Sequence, residues 1–589
     1  MIKLSEIREY YQKISNILII ISGFTVFVSL IILIGFYLSD FWLNFFTIII
    51  DIILYIFIFD ELIKLTLSPN FKEHIKNRKI EILILLFLLL EFAFSENLIQ
   101  FIELIFPGVR PQKIALIYLV LIEISILTAY FAKFVRASYR ISNIRIHSSA
   151  IIAISFLTII LFGSFLLMLP KSYNPINNYN YLDALFTSTS AVCVTGLIVK
   201  DTATQFTNTG KLFILMLIQI GGIGIMTLTT FFAFYVGAGV SLKVRSFVKD
   251  MFNEDNFSLI RQLIKNIFIY TITIELIGAI LLYFAIVKDI SSYDPNILYL
   301  SIFHSVSAFC NAGFSLYSDN LANNLTANNY LYLNTIMALI VLGGLGFIVH
   351  VNLLENLIYK IKGKRINFRI HTKIVLISTS LLIITGTLLI YNFDNFSYGN
   401  NLSIFDKLYH SLFLSISSRT AGFNIIPTET LSNATIMVLI LLMWIGASPG
   451  STGGGIKTTT LSVALITLFS FVRGKTKVEI FRREVSPESI KSAFLVIISS
   501  ISILGFASTL LVWLEPNFEP LDLIFEATSA ISTVGLSRNI SFYLGSDSKI
   551  LIILLMFIGR IGVLAFITSL IKPQKDIKIK YPMENILVG

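Results

Sequence analysis

Four times along this 589-residue chain, a short run of Ser, Thr and small residues ends in a single glycine followed by a bulky apolar residue. The copies are Ser190-Ala191-Val192-Cys193-Val194-Thr195-Gly196-Leu197, Ser307-Ala308-Phe309-Cys310-Asn311-Ala312-Gly313-Phe314, Ser417-Ser418-Arg419-Thr420-Ala421-Gly422-Phe423 and Ser529-Ala530-Ile531-Ser532-Thr533-Val534-Gly535-Leu536. Their glycines lie 117, 109 and 113 residues apart, and each copy is followed 24 to 30 residues later by a second glycine signal inside an apolar run. Self-similarity at a nearly fixed period marks one structural unit used four times.

Composition sets the solvent. With 55% hydrophobic and 14% charged residues and a mean hydropathy of +0.82, the chain cannot present a water-soluble surface. Apolar stretches long enough to span about 30 Å of hydrocarbon recur throughout, so a single cleaved signal peptide does not account for them. The net charge of +10 invites a nucleic-acid reading. The basic residues, however, sit in short connections such as Lys72 to Lys79, Lys360 to Lys373 and Arg473 to Lys491, which is a topology signal. They predict cytoplasmic termini, loops that open outward, lipid as the surrounding medium and no nucleic-acid partner. Cys193 and Cys310 share one offset before their glycines, and no His/Cys spacing suggests zinc. A disulfide between them would need a coincidence of geometry.

These signals predict an all-α polytopic membrane protein. Residues 1–147 form an N-terminal block of about four spans, near 15–38, 43–66, 80–105 and 113–135, without a glycine motif. Four pseudo-repeats follow, at 148–262, 263–373, 374–491 and 492–589, each a span, a half-length segment, a glycine loop and a second span. The half-segments, near 181–192, 298–309, 405–417 and 521–531, are too short to cross and must re-enter from outside. Non-helical backbone at membrane depth is tolerated only where protein buries it or water lines it, so the four loops should converge on a central pore. The alternative is four glycine turns between packed helices.

The residue types suit cation passage. A cation leaving water needs oxygens in place of its hydration shell, and carbonyls aim inward only through dihedrals that glycine allows. The expected lining is Cys193, Val194, Thr195 and Gly196; Cys310, Asn311, Ala312 and Gly313; Arg419, Thr420, Ala421 and Gly422; and Ser532, Thr533, Val534 and Gly535. The carbonyls of Thr195, Asn311, Thr420 and Thr533 are expected to hold the ion. Each half-helix would aim its partly negative C-terminal end at the pore.

These motifs resemble the Trk/Ktr/HKT superfamily of potassium transporters, most closely its Ktr-type membrane subunits. The resemblance covers about 148 to 589 and is strongest at the first glycine motif, at Gln219-Ile220-Gly221-Gly222-Ile223-Gly224 and at Asn585-Ile586-Leu587-Val588-Gly589. It implies potassium uptake across a plasma (bacterial inner) membrane, because glycine in the first loop goes with potassium preference and serine with sodium permeation. It also implies a homodimer and a cytosolic nucleotide-binding regulatory ring. The permeant ion is K+, with Na+ as the alternative, and no organic cofactor is called for.

The third repeat departs from its siblings at 446–460, where Gly450, Ser451, Thr452, Gly453, Gly454, Gly455 and Lys457 interrupt an apolar run after Pro449, while the other repeats are expected to continue as helix. By resemblance this is an intramembrane gating loop. It approaches a phosphate-binding Gly-rich pattern, but Ile456 separates glycine from lysine and no strand precedes it. Arg560, inside the fourth repeat's apolar run, resembles the family's pore-facing barrier, able to hold the gating loop through its carbonyls; the alternative is a snorkelling or structurally paired arginine. Lys457 is a possible second member.

Arg419 is expected to brace its loop from behind. Glu526 is expected as its counter-charge, as an outer-vestibule acid or in a structural role, and His304 and His410 as packing residues. No nucleophile and base stand at fixed spacing, so enzymatic activity is not expected. In the N-terminal block, Asp51, Asp60, Glu61, Glu91 and Glu123 with Lys133, Arg136 and Arg140 leave a voltage-sensing module open beside an accessory packing role.

Overall fold

The structure is a computed structural model that describes residues 4–68, 82, 85–86, 148–175, 179–224, 257–287, 296–323, 326–364, 368–394, 403–570 and 584. Helices dominate, and the one sheet among these residues is a two-stranded hairpin pairing Glu479–Ile480 with Arg483–Glu484. Among the described residues, five helices are long and apolar enough to cross a membrane, or seven if two sharply bent pairs count as spans.

Each repeat opens with a long apolar first helix: Ser148–Leu167, Phe257–Val287, Ile370–Phe393 and Pro487–Leu514. A half-helix follows, at Tyr181–Val192, Asn296–Phe309, Ile404–Ser417 and Pro520–Ile531. These bounds fall within two residues of those expected from sequence. A twelve-residue helix is about 18 Å long and cannot cross. Local chemistry starts each cleanly. Asn180 accepts from Asp183 N, Ser403 and Asp406 form a capping box, and Pro520 opens the fourth. Some hydroxyls of the half-helices bond back within the helix, as Thr189 does to Leu185 O and Thr528 to Ile524 O, both at 2.7 Å, while Ser188, Ser305 and Ser415 reach main-chain carbonyls of the first helices at 2.7, 2.6 and 3.0 Å.

Second helices return at Asn208–Ile223, Tyr330–Leu345, Asn433–Trp444 and Ser546–Ile561. The expectation that only the third would break is corrected. Repeat two bends by 101° between Leu345 and Phe347, and repeat four by 99° between Ile561 and Val563. The cause is a glycine at each corner, Gly346 at φ +90° and Gly562 at φ +95°, and Gly224 ends the first repeat's helix at φ +85°. An apolar run continues through both corners, so composition alone hid them.

The repeats close into a ring. The second helix of repeat one packs on the half-helix of repeat two, two on three, three on four, and four back on one. Lys549 of repeat four pairs with Asp183 of repeat one at 3.0 Å across the closing seam. Within repeats one to three, a glycine of the first helix admits the half-helix: a Cβ on Gly163, Gly278 or Gly386 would lie 2.5 Å from Ser188, Ser305 or Ser415 Oγ.

Of the expected N-terminal spans, two are described, Leu4–Gly35 and Asp40–Thr66. The first docks on repeat one, with Phe27 stacked on Phe162 at 5.6 Å and Gly35 O accepting from Lys171 N at 2.9 Å. Asp60 pairs with Lys64 on its own helix at 2.5 Å and accepts from Tyr11 and Ser15. Spans 80–105 and 113–135, with Glu91, Glu123, Lys133, Arg136 and Arg140, lie almost entirely outside the described residues, as do Asn585 to Gly589.

Gly278→Ala should cost about 1–3 kcal/mol, because Ser305 Oγ and Leu339 Cδ1 at 2.5 and 2.8 Å must shift. Gly505→Ala, inside the helix Pro487–Leu514 with a Cβ that would meet nothing within 4 Å, should cost nothing and stabilise by up to about 1 kcal/mol. Thermal loss of the size-exclusion peak in detergent measures both.

Candidate functional site

The four glycine loops meet each other in cyclic order. A Cβ built on Gly196 would strike Ala312 O and lie 3.0 Å from Gly313 Cα; on Gly313 it would lie 2.8 Å from Ala421 O; on Gly422, 3.0 Å from Gly535 Cα; and on Gly535, 3.0 Å from Gly196 Cα. Each glycine therefore has no room for a side chain, because the next loop's backbone occupies that space.

All four loops share one backbone rhythm. Left-handed φ falls on Val194 and Gly196, Asn311 and Gly313, Thr420 and Gly422, and Thr533 and Gly535. For a non-glycine residue this costs energy and persists only where the surroundings impose it. The register corrects the sequence reading at one point: the first-repeat counterpart of Asn311, Thr420 and Thr533 is Val194, whereas Thr195 matches Ala312, Ala421 and Val534. The expected ion-holding set of Thr195, Asn311, Thr420 and Thr533 therefore mixes two positions.

Serines at the ends of the half-helices fix the loops. Thr195 N donates to Ser190 O at 2.8 Å and Gly196 N to Ser190 Oγ at 3.0 Å; Val534 N and Gly535 N repeat this on Ser529 at 2.9 and 3.0 Å. In repeat two, Ala312 N donates to Ser307 O at 2.7 Å, and Ser307 Oγ donates to Phe314 O at 2.8 Å. Repeat three is one residue shorter, so Ala421 N and Gly422 N both reach Ser417 O, at 2.9 and 3.3 Å. With these N–H groups turned backward, the carbonyls remain. Among the described residues, none of those on Val194, Thr195, Asn311, Ala312, Thr420, Ala421, Thr533 and Val534 accepts a hydrogen bond, although every one of these residues is buried. Buried carbonyls are costly without a partner, and a ring of them has the chemistry to coordinate a cation.

Outside the ring lies a cavity of about 820 Å³ with all four glycines in its lining, and Asp201, Asp319, Glu429 and Arg538 also line it. Its walls are tied between neighbouring repeats. Ser318 donates to Asp201 at 2.7 Å, Leu321 N to Asn424 O at 3.1 Å, and Thr428 to Ser537 O. Arg538 is neutralised by Asp522.

Two titratable side chains occupy one register behind opposite loops. His304 and Glu526 each precede their glycine by nine residues. His304 Nε2 sits 3.0 Å from Ser315 Oγ, and Glu526 Oε1 accepts from Ser537 Oγ at 3.2 Å and from Ser541. Ser315 and Ser537 both stand two residues after the glycine. Leu316 N donates to His304 Nε2 and Nδ1 faces Leu300 O, which fixes the neutral tautomer with its proton on Nδ1. Glu526 is thus neither Arg419's counter-charge nor a vestibule acid; it is fully buried and braces the fourth loop. Arg419 turns away among Ile340, Gly344, Thr379, Ile383 and Ala447, with Nη2 reaching Gly446 O at 3.5 Å.

On the other side of the ring, the third repeat runs without helix from Ile445 to Lys457, its ends joined by a parallel bridge between Ile445 and Ile456. The segment is pressed against the loops: a Cβ on Gly453 would collide with Thr420 Oγ1, and one on Gly454 with Thr533 Oγ1. Thr452 N donates to Gly343 O at 3.3 Å, its hydroxyl to Phe309 O at 3.2 Å, and Phe347 N to Gly450 O at 2.9 Å. Lys457 Nζ caps Gly453 O at 2.7 Å. Ser451 bonds Ser448 O at 2.6 Å, and Gly455 turns the chain at φ +67°. Arg560 reaches across the opening, donating to Thr452 O on this segment and to Gly221 O of repeat one. Cys193 and Cys310 are buried free thiols.

Sequence reasoning passed over Glu275, an acid 7% exposed in the first helix of repeat two. Its signal was present, since an ionisable residue inside an apolar span demands a partner.

The arrangement defines a fourfold pseudo-symmetric, polytopic membrane protein with re-entrant loops around a central axis, a class that moves ions rather than transforming substrates. Residues 120–579 match the family model of the TrkH cation transport proteins. The chain belongs to that family. It is 37% identical over 451 residues to the Ktr system potassium uptake protein B of Bacillus subtilis, covering 76% of this chain and 98% of that one. It is 34% identical over 455 residues to the potassium/sodium uptake protein NtpJ of Enterococcus hirae, with 76% and 98% covered. The crystal structure of the potassium transporter TrkH from Vibrio parahaemolyticus shares the fold, with a TM-score of 0.57 at 17% identity over 84% of this chain and 98% of that one.

Ser190→Ala and Ser529→Ala each deprive a glycine N–H, buried at Gly196 and half-buried at Gly535, of its acceptor and should cost about 1–3 kcal/mol. Ser462→Ala, which removes only a bond to its own helix at Thr458 O, should leave the detergent melting midpoint unchanged.

Proposed function

We propose that this chain takes up potassium through a gated pore whose selectivity filter is the ring of four glycine loops. The observation that carries this is the set of buried carbonyls without partners, in loops held by left-handed residues and by half-helix serines. Potassium fits at least expense where the oxygens already stand in place of its water shell. Inward movement needs no reaction in this chain, since a negative interior supplies about 2.3 kcal/mol per 100 mV for each monovalent cation.

The segment Gly450 to Lys457 acts as the gate, and Arg560 as an electrostatic barrier that also latches it. A guanidinium beside the pathway repels a cation, and its two bonds tie the segment to repeat one. Opening requires those bonds to be exchanged. The driver is a cytosolic nucleotide-binding ring acting on a homodimer of this chain, in a plasma membrane with both termini inside. The five-part division at 147, 262, 373 and 491 belongs to the same reading. Sodium permeation is the second reading, favoured by the likeness to a relative named for potassium and sodium uptake.

Ion uptake into proteoliposomes tests both. The unmodified chain should prefer potassium. Gly196→Ser, which places a side chain against Ala312 O at φ +93°, should lower that preference at least about tenfold, or about 1.4 kcal/mol. Arg560→Ala should raise flux severalfold. Equal sodium and potassium flux in the unmodified chain would select the second reading.

A further inference from the structure

The conduction path described so far makes no use of Glu275. This acid lies within the apolar stretch Ile264–Val287 of repeat two, and both its oxygens face a single amide: Gln219 Nε2, from repeat one, donates at 3.1 and 3.0 Å. Its Oε1 is 3.7 Å from the Cys310 thiol of the second glycine loop, and its backbone carbonyl accepts from Ser305 Oγ at 2.6 Å. A carboxylate at membrane depth is costly, and an apolar side chain would fill the space without that cost. A carboxylate does, however, offer two acceptors in one plane to one amide.

What that amide belongs to decides the role. Gln219 stands at the pore end of the second helix of repeat one, two residues before Gly221, whose carbonyl takes Arg560. Gly222, between them and the loop, lies so close to Cys310 that a Cβ would strike its sulfur. This helix end is therefore held from one side by Glu275 and gripped from the other by Arg560.

We propose that Glu275 is a positioning residue for the barrier: through Gln219 it fixes the end of repeat one's second helix so that the Gly221 carbonyl is presented to Arg560. The inference rests on the reading of Arg560 as barrier and latch.

Potassium flux into proteoliposomes is compared for the unmodified chain, Glu275→Gln, Arg560→Ala and the double variant. Glu275→Gln keeps the volume but exchanges one acceptor for a donor. It should raise basal flux about fivefold, as expected when one link of a coupled network is removed, and should add nothing in the Arg560→Ala background. Unchanged flux in Glu275→Gln, or the same multiplication of flux in both backgrounds, overturns the proposal. Arg560→Ala without effect overturns the barrier reading itself, and is seen independently of Glu275. A further variant guards against simple loss of folding. Exchanging the pair, Gln219→Glu with Glu275→Gln, restores one carboxylate and one amide and should return flux to the basal level; a folded exchange variant that still leaks also overturns the proposal.

Discussion

Everything in this molecule follows from the requirement that main-chain polar groups at membrane depth find partners. Helices meet it internally. The four glycine loops cannot, and their two kinds of polar group go separate ways. The N–H groups turn back onto Ser190, Ser307, Ser417 and Ser529, while the carbonyls are left for something other than protein. The half-helices exist to deliver those serines, and the first helices carry Gly163, Gly278 and Gly386 so that the half-helices can approach closely enough. Ring closure then supplies the confinement that keeps Val194, Asn311, Thr420 and Thr533 in left-handed conformations they would not hold alone.

Departures from fourfold regularity concentrate on one side of the ring. The outer side keeps the shared pattern, with paired braces at His304 and Glu526 behind opposite loops. On the other side the repeat ends are not all alike. Repeats two and four turn at glycine corners, repeat three unravels into the segment under Thr420 and Thr533, and repeat four contributes Arg560. Gly222, Gly344, Ala447 and Arg560 each directly follow their repeat's second glycine signal, so three small residues leave the space into which the fourth extends.

Much of this was legible in the sequence because the repeat supplies four readings of one unit. The half-helix bounds came within two residues, since apolar length, Ser/Thr content and the terminal glycine all change together there. The corners at Gly346 and Gly562 were not legible: apolarity continues across them, and a single glycine in an apolar run reads as helix until its φ is known. The one-residue shortening before Gly422 and the match of Val194 to Asn311 escaped for a related reason, because residue identity aligned Thr195 with the other threonines while backbone conformation aligns it with Ala312. Glu275 and Gln219 are 56 residues apart, and only the ring brings them together.

Four quadrants in one covalent chain have a genetic consequence. In a ring of four identical subunits a substitution is imposed four times over, and a charge at the axis would be imposed as four charges. Here each quadrant has its own codons. One arginine can stand at the axis without three copies, one quadrant can give up a helix for an irregular segment, and a mutation alters a quarter of the ring while three quarters keep its shape. Such a ring can therefore be retuned in small steps, each one asymmetric.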